Sequence, residues 1–172
     1  MQHFTYQVPK SVLLSTKMPI IDEQGKTIFL LQKQPHKFPA NVFNATLRFG
    51  LPYTYKITNL SGKPLYSIDC AFPGIRYKIT DHLSSQTVPI ARQRVQLIET
   101  AYSFKIANHD YYFEKDYTGT GHLKCDNKEI ARVSNLFSVN ISTVDTINIA
   151  STTEETASLS AVLFHTFYYY GA

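Results

Sequence analysis

Segment 151–170, Ser-Thr-Thr-Glu-Glu-Thr-Ala-Ser-Leu-Ser-Ala-Val-Leu-Phe-His-Thr-Phe-Tyr-Tyr-Tyr, constrains the fold of this chain more than any other stretch. Ser151 with Glu154, and Thr152 with Glu155, both have capping-box spacing, which predicts a helix start. The two glutamates also sit where the positive end of a helix dipole favours them. Beyond the cap the segment is apolar on every face. At about 100° per residue, Ala157, Val162, Leu163 and Tyr168 point in widely different directions, which leaves no solvent stripe. A helix apolar all round is buried all round. The run is shorter than the roughly 20 apolar residues a bilayer span requires, so it reads as a core helix over 154–170. Against this, Phe167 to Tyr170 are also good strand formers.

The rest of the chain reads as β. With 172 residues, 17% charged and 13% aromatic, it is long and apolar enough for one folded domain, 1–172, and is not disordered. Cys70 and Cys125 lack CxxC spacing and are expected to be reduced and buried. The first residues carry no basic n-region, and Val12-Leu13-Leu14 is too short for an h-region. A secretory signal is therefore disfavoured, and the expected location is cytoplasmic, with peripheral membrane contact as an option.

Residues 3–8 alternate as a first strand closed by Pro9, and Lys17–Ile21 and Thr27–Leu31 flank a turn at Asp22-Glu23-Gln24-Gly25-Lys26. Gly25 supplies the positive φ that turn needs. A further strand is expected at 41–49. The pattern then repeats: Tyr55-Lys56-Ile57-Thr58-Asn59 returns as Tyr77-Lys78-Ile79-Thr80-Asp81 and, loosely, as Phe104-Lys105-Ile106-Ala107-Asn108. The first copy continues into Leu60-Ser61-Gly62-Lys63, echoing the turn at 22–26. Uneven spacing excludes a solenoid and indicates a meander of hairpins. Later strands are expected at 86–91, 95–99, 111–116, 120–125, 129–133, 137–141 and 145–149. A helix roughly 10 Å across does not fit between sandwich sheets about 10 Å apart, but it does fit inside a closed sheet of many strands. The expectation is mostly β: a closed antiparallel barrel of about twelve strands around a buried, hydrophobic C-terminal helix.

The Asx-x-x-Gly-Lys-x-hydrophobic-aromatic turns at 22–29 and 59–66, the many short strands and the terminal apolar helix resemble the tubby C-terminal-like superfamily. LURP-one-related and phospholipid-scramblase-like proteins belong to that group, and the likeness is strongest to its small, stand-alone bacterial members. The resemblance covers essentially the whole chain and implies a twelve-stranded barrel around a C-terminal helix. Animal tubby domains bind phosphoinositides through basic side chains. Those positions have no match here, and the animal C-terminal signature is absent, so the resemblance carries the fold further than the ligand.

Sequence motifs disfavour an enzyme. The six histidines show no metal-ligand or HExxH spacing, and there is no GxSxG, P-loop or dinucleotide fingerprint; neither cofactor nor metal is expected. Asp81-His82 and His109-Asp110 look like acid–base pairs, but strand neighbours face opposite ways. His165 is expected to be a core histidine hydrogen-bonded to barrel backbone. The basic residues say more. The net charge of +4 is uneven: residues 1–105 hold 13 Lys and Arg against 5 Asp and Glu, and residues 106–172 hold 4 against 8. Period-two alternation sends Tyr55/Ile57, Tyr77/Ile79 and Phe104/Ile106 inward. Lys56, Lys78 and Lys105 then face out, joined by Arg76; Arg92 and Arg94 share a face with each other. If these strands are neighbours, the six form a basic patch that could dock on anionic phospholipid or an acidic protein partner. Inward-facing tyrosines leave no stacking platform, which disfavours nucleic acid. The alternative is a soluble structural or regulatory interaction domain without lipid affinity.

Overall fold

The computed structural model of the chain describes residues 1–9, 16–35, 53–71, 76–94, 100–136 and 144–169. Strands β1 (Gln2–Pro9), β2 (Lys17–Asp22), β3 (Thr27–Pro35), β4 (Tyr53–Asn59), β5 (Pro64–Ala71) and β6 (Arg76–Asp81) make the first half. The second half is β7 (Gln86–Arg94), β8 (Thr100–Ile106), β9 (His109–Lys115), β10 (Gly121–Cys125), β11 (Lys128–Leu136) and β12 (Val144–Ser151). Each strand pairs antiparallel with the next, and β1 closes the barrel on β12 with Gln2 opposite Ser151 and Pro9 opposite Val144. The expected strands at 41–49, 95–99 and 137–141 lie outside the described residues. The closed twelve-strand antiparallel barrel agrees with the sequence expectation.

Alternation drives the closure. Phe4, Tyr6 and Val8 of β1, Met18 and Ile20 of β2, and Ile57, Ile68, Ile79, Phe104 and Phe113 of later strands all point inward and are buried. The three Tyr/Phe-Lys-Ile copies behave as their alternation predicts, with the apolar pair on the core side each time. Hairpin turns fix the registers. Asp22 Oδ1 accepts from the amides of Gln24 and Lys26, and Gly25 sits at φ 79° where its amide reaches the Asp22 carbonyl. Asn59 repeats this around Gly62, and Asp116 repeats it a third time around Gly119.

Helix α1 (Glu154–Phe167) fills the barrel. All residues from 157 to 167 are buried, and the helix lies against β5 on one side and β11 and β12 on the other. Its cap sits one residue later than the sequence spacing suggests. Thr153 is the N-cap, and Thr156 supplies the reciprocal half of the box. Ser151 is held at the end of β12, and Glu155 accepts a 2.8 Å hydrogen bond from Tyr66 Oη on β5. Buried hydroxyl side chains of α1 bond to their own helix: Ser158 donates to the Glu155 carbonyl, Ser160 to Ala157 and Thr166 to Val162. At the far end, Tyr168 Oη donates to the Thr100 carbonyl at 2.7 Å and Tyr169 Oη to Asp145 Oδ2 at 2.6 Å. These anchors hold the tyrosines that follow the helix, and the strand alternative for Phe167 to Tyr169 is not taken.

His165 departs from expectation. It is fully buried, yet neither ring nitrogen has a hydrogen-bond partner among the described residues. Aromatic rings surround it instead, with Tyr55 edge-on at 4.8 Å and Tyr169 stacked at 5.3 Å. Cys70 is buried as expected, whereas Cys125 is only half-buried.

The wall and the helix meet closely at Gly121 of β10. A Cβ there would lie 2.9 Å from Phe113 Cζ and 2.9 Å from Phe164 Cδ2. Gly121→Ala is therefore expected to destabilise the barrel by about 1–3 kcal/mol, the usual cost of overpacking. Urea unfolding beside the wild type checks this; an unchanged midpoint would mean the two rings yield freely.

Candidate anion-docking face

Strand register decides which cations share a surface. Lys17 of β2 and Lys56 of β4 both lie opposite Gln32 of β3, so the three form one row across the barrel exterior. The row continues through Ser67 and Thr80 to Thr87 of β7. Lys17, Gln32 and Lys56 line a shallow depression with Leu30, Thr58 and Leu60. In the next row Lys78 of β6 faces Asp69 of β5, whose carboxylate accepts from the Thr54 hydroxyl. Arg76, exposed, begins β6 on the same side. The salt bridges among the described residues include none of Lys17, Lys56, Arg76 or Lys78. The positive field there is felt nearby: burial first, then Lys56, lowers the pKa of His82, with Asp81 and Asp69 opposing. The imidazole Nε2 of His82 lies 2.9 Å from the Ser67 hydroxyl.

Four of the six residues singled out from the sequence thus face outward, on the alternate strands β4, β6 and β8: Lys56, Arg76, Lys78 and Lys105. Lys105 is partly neutralised by Asp110 at 3.8 Å, an exposed pair of small energetic weight. Arg92 does not join them. It lies opposite Tyr102, on the phase that faces the core lower down β7, and reaches the Thr100 hydroxyl at 3.4 Å. Lys33 of β3, opposite Tyr55, and Lys115 of β9, opposite Gly121, occupy equivalent positions at the same end of the barrel. Lys33 Nζ lies over the Tyr55 ring at 5.9 Å and Lys115 Nζ over the Tyr168 ring at 5.1 Å. This is the end where α1 terminates, and cations there suit the negative end of the helix dipole. The side chain of Arg94 lies outside the described residues.

Lys17 was missed by the sequence reading. The alternation of Met18 and Ile20 sends it outward, but its place beside Lys56 depends on the β2–β3–β4 register. The apolar phase of Val88 and Ile90 extends to Arg92, a signal that separates it from Lys78.

The opposite wall carries the acidic excess. On β9 to β11, His122 Nδ1 lies 2.7 Å from Glu129 Oε2 and Nε2 lies 3.1 Å from Asp116 Oδ2; Lys124 pairs with Glu114 at 2.6 Å and Arg132 with Glu129. Burial pushes the Asp116 carboxyl up, but hydrogen bonds from Thr118, His122 and the Thr120 amide outweigh it and hold it at about 2. The two sequence-adjacent acid–base pairs do not form. Asp81 instead accepts from the Leu83 amide and the Ser84 hydroxyl, and His109 pairs with Asp126. No helix among the described residues is long and apolar enough to cross a membrane.

A family model described as Tubby C-terminal like domain matches residues 4–170. No curated protein and no solved structure matches the chain.

Proposed function

This chain belongs to the Tubby C-terminal like domain family, and from that premise we propose that it is a non-enzymatic binding module that docks on anionic phospholipid. The docking face is the barrel exterior around Lys17, Lys56, Arg76 and Lys78, and the module works at a membrane surface on its cytoplasmic side. The observation that carries this reading is the row in which Lys17 and Lys56 flank Gln32, with no ion-pair partner for either lysine among the described residues. Cations near an anionic bilayer contribute about 1 kcal/mol each, and three together correspond to roughly a hundredfold in affinity.

Co-sedimentation tests it with phosphatidylcholine vesicles, with and without phosphatidylserine, over a salt series. Binding should require phosphatidylserine and weaken as salt shortens the Debye length below about 10 Å. Replacing Lys17, Lys56 and Lys78 together by Gln should remove it. Arg92→Gln, on the other strand phase, should leave it nearly intact. Binding that survives both the triple change and high salt would overturn the proposal. The counter-charges favour a second reading, a protein-interaction domain without lipid affinity: Asp69 faces Lys78, and Asp110 partly neutralises Lys105. Vesicles of both compositions left unbound would favour that reading.

A further inference from the structure

At the end of the barrel where α1 begins, two adjacent tight turns bring together side chains far apart in sequence. Ala107 and Asn108 join β8 to β9, and Asp126 and Asn127 join β10 to β11; all four have positive φ. His109 opens β9 opposite Ile106, and Cys125 ends β10 opposite Tyr111. Both therefore continue the inward-facing phase past the end of the core, onto the rim. Asp126 stands between them, with Oδ2 2.6 Å from His109 Nδ1 and 3.8 Å from Cys125 Sγ, while Oδ1 accepts from the Asp110 amide at 3.0 Å. One ligand atom from each of the three residues lies within 4.8 Å of the others. Two ligands on one tetrahedral zinc ion, each about 2.0–2.3 Å from it, sit about 3.3–3.8 Å apart. Side-chain rotation of these rim residues that brings the ligand atoms about 1 Å closer closes that difference.

We propose that His109, Cys125 and Asp126 form a binding site for a divalent metal ion of the zinc class. An imidazole, a thiolate and a carboxylate are the donor set such an ion takes, and softer thiolate with nitrogen selects it over magnesium or calcium. On binding, Cys125 gives up its thiol proton to solvent and the sulfur lone pair bonds the metal. Three protein ligands leave one coordination position for water. The ion ties the start of β9 to the end of β10 and the turn after it, clipping the rim beside the entry of the helix. The sequence hides the site because its ligands, 109 and 125–126, come from two separate hairpins and match no metal-binding spacing.

Cobalt titration of the reduced, chelator-treated full chain tests this. One Co²⁺ per chain should give tetrahedral visible bands and a thiolate-to-metal charge-transfer band, both abolished by added Zn²⁺. Cys125→Ser should lose the charge-transfer band. Since loss of an outer-shell partner alone costs about 10- to 100-fold in affinity, His109→Ala should weaken binding by at least about tenfold. As a second measurement, Zn²⁺ should raise the Tm of the wild type and not that of Cys125→Ser, by the stabilisation that ligand binding confers on the folded state. A charge-transfer band that persists in Cys125→Ser would assign the thiolate to Cys70 and overturn the proposal. So would a wild type that binds no cobalt.

Discussion

A chain ending at Thr153 will not form a smaller barrel. The truncation removes every residue from 157 to 167, all buried, together with the ring contacts that Phe167 and Tyr168 make with Tyr77, Tyr102 and Phe113. The inward faces of twelve strands would then line an apolar space that neither water nor side chains can fill. The expected product is insoluble or molten, without a cooperative melt. Point changes give the same result in graded form. Leu163, fully buried, should cost about 2–5 kcal/mol when replaced by Ala. Leu163→Asp should be worse, because it buries a carboxylate with no partner. If the segment were a detachable membrane anchor, the truncated chain would instead be folded, soluble and merely released from membranes.

Acid should weaken the barrel through His165 before it touches the carboxylates. Burial, and secondarily the Lys33 charge, lowers this imidazole from 6.5 to about 3. The groups facing it are Tyr6 of β1, Lys33 of β3, Tyr55 of β4 and Tyr169, which itself donates to Asp145 of β12. In the unfolded chain the ring takes a proton as pH falls through about 6.5, whereas in the folded chain it stays neutral until about 3. The unfolded state therefore binds more protons across that window, and stability falls with pH by about 1.4 kcal/mol per unit. Between about pH 7.5 and about pH 5 the loss should reach about 2 kcal/mol. The lowered pKa of His82 adds in the same direction. The lowered carboxyls of Asp116 and Glu129 lose their contribution only as pH falls below their ordinary range. His165→Leu removes two unpaired buried nitrogens at similar volume, so it should be neutral or stabilising at about pH 8 and should flatten the slope. Urea midpoints for both proteins at about pH 8 and about pH 5 check this. Parallel slopes would show that His165 takes a proton in the folded state as readily as in the unfolded one.

The sequence carried the architecture because its period-two signal is local. The Tyr-Lys-Ile copies declare their inward faces within three residues, and Gly25 and Gly62 declare their turns within five. The turn at Asp116 has the same geometry, but Thr120 stands where the other copies have lysine, so the repeat was legible only in part. The cap shifted by one residue because Thr156 competes with the glutamates and Tyr66, eighty-nine positions away, engages Glu155. Side-chain neighbours across strands are a matter of register, which alternation alone does not fix. Lys17 beside Lys56, and Asp126 beside His109 instead of Asp110, both arise that way. Arg92 shows the complementary limit: at a barrel end the inward phase opens to solvent, so a core-phase position can hold a charge.

Native-state hydrogen exchange of the helix amides tests the central claim most directly, that α1 is the core on which the barrel closes. A core element opens only when the whole molecule does. Amides from 159 to 167 should therefore exchange with the free energy of global unfolding, with the same urea dependence as the amides of β5 and β11 on either side. Helix amides that exchange at distinctly lower free energy, while those strands stay protected, would show a barrel that stands without its helix and contradict the account.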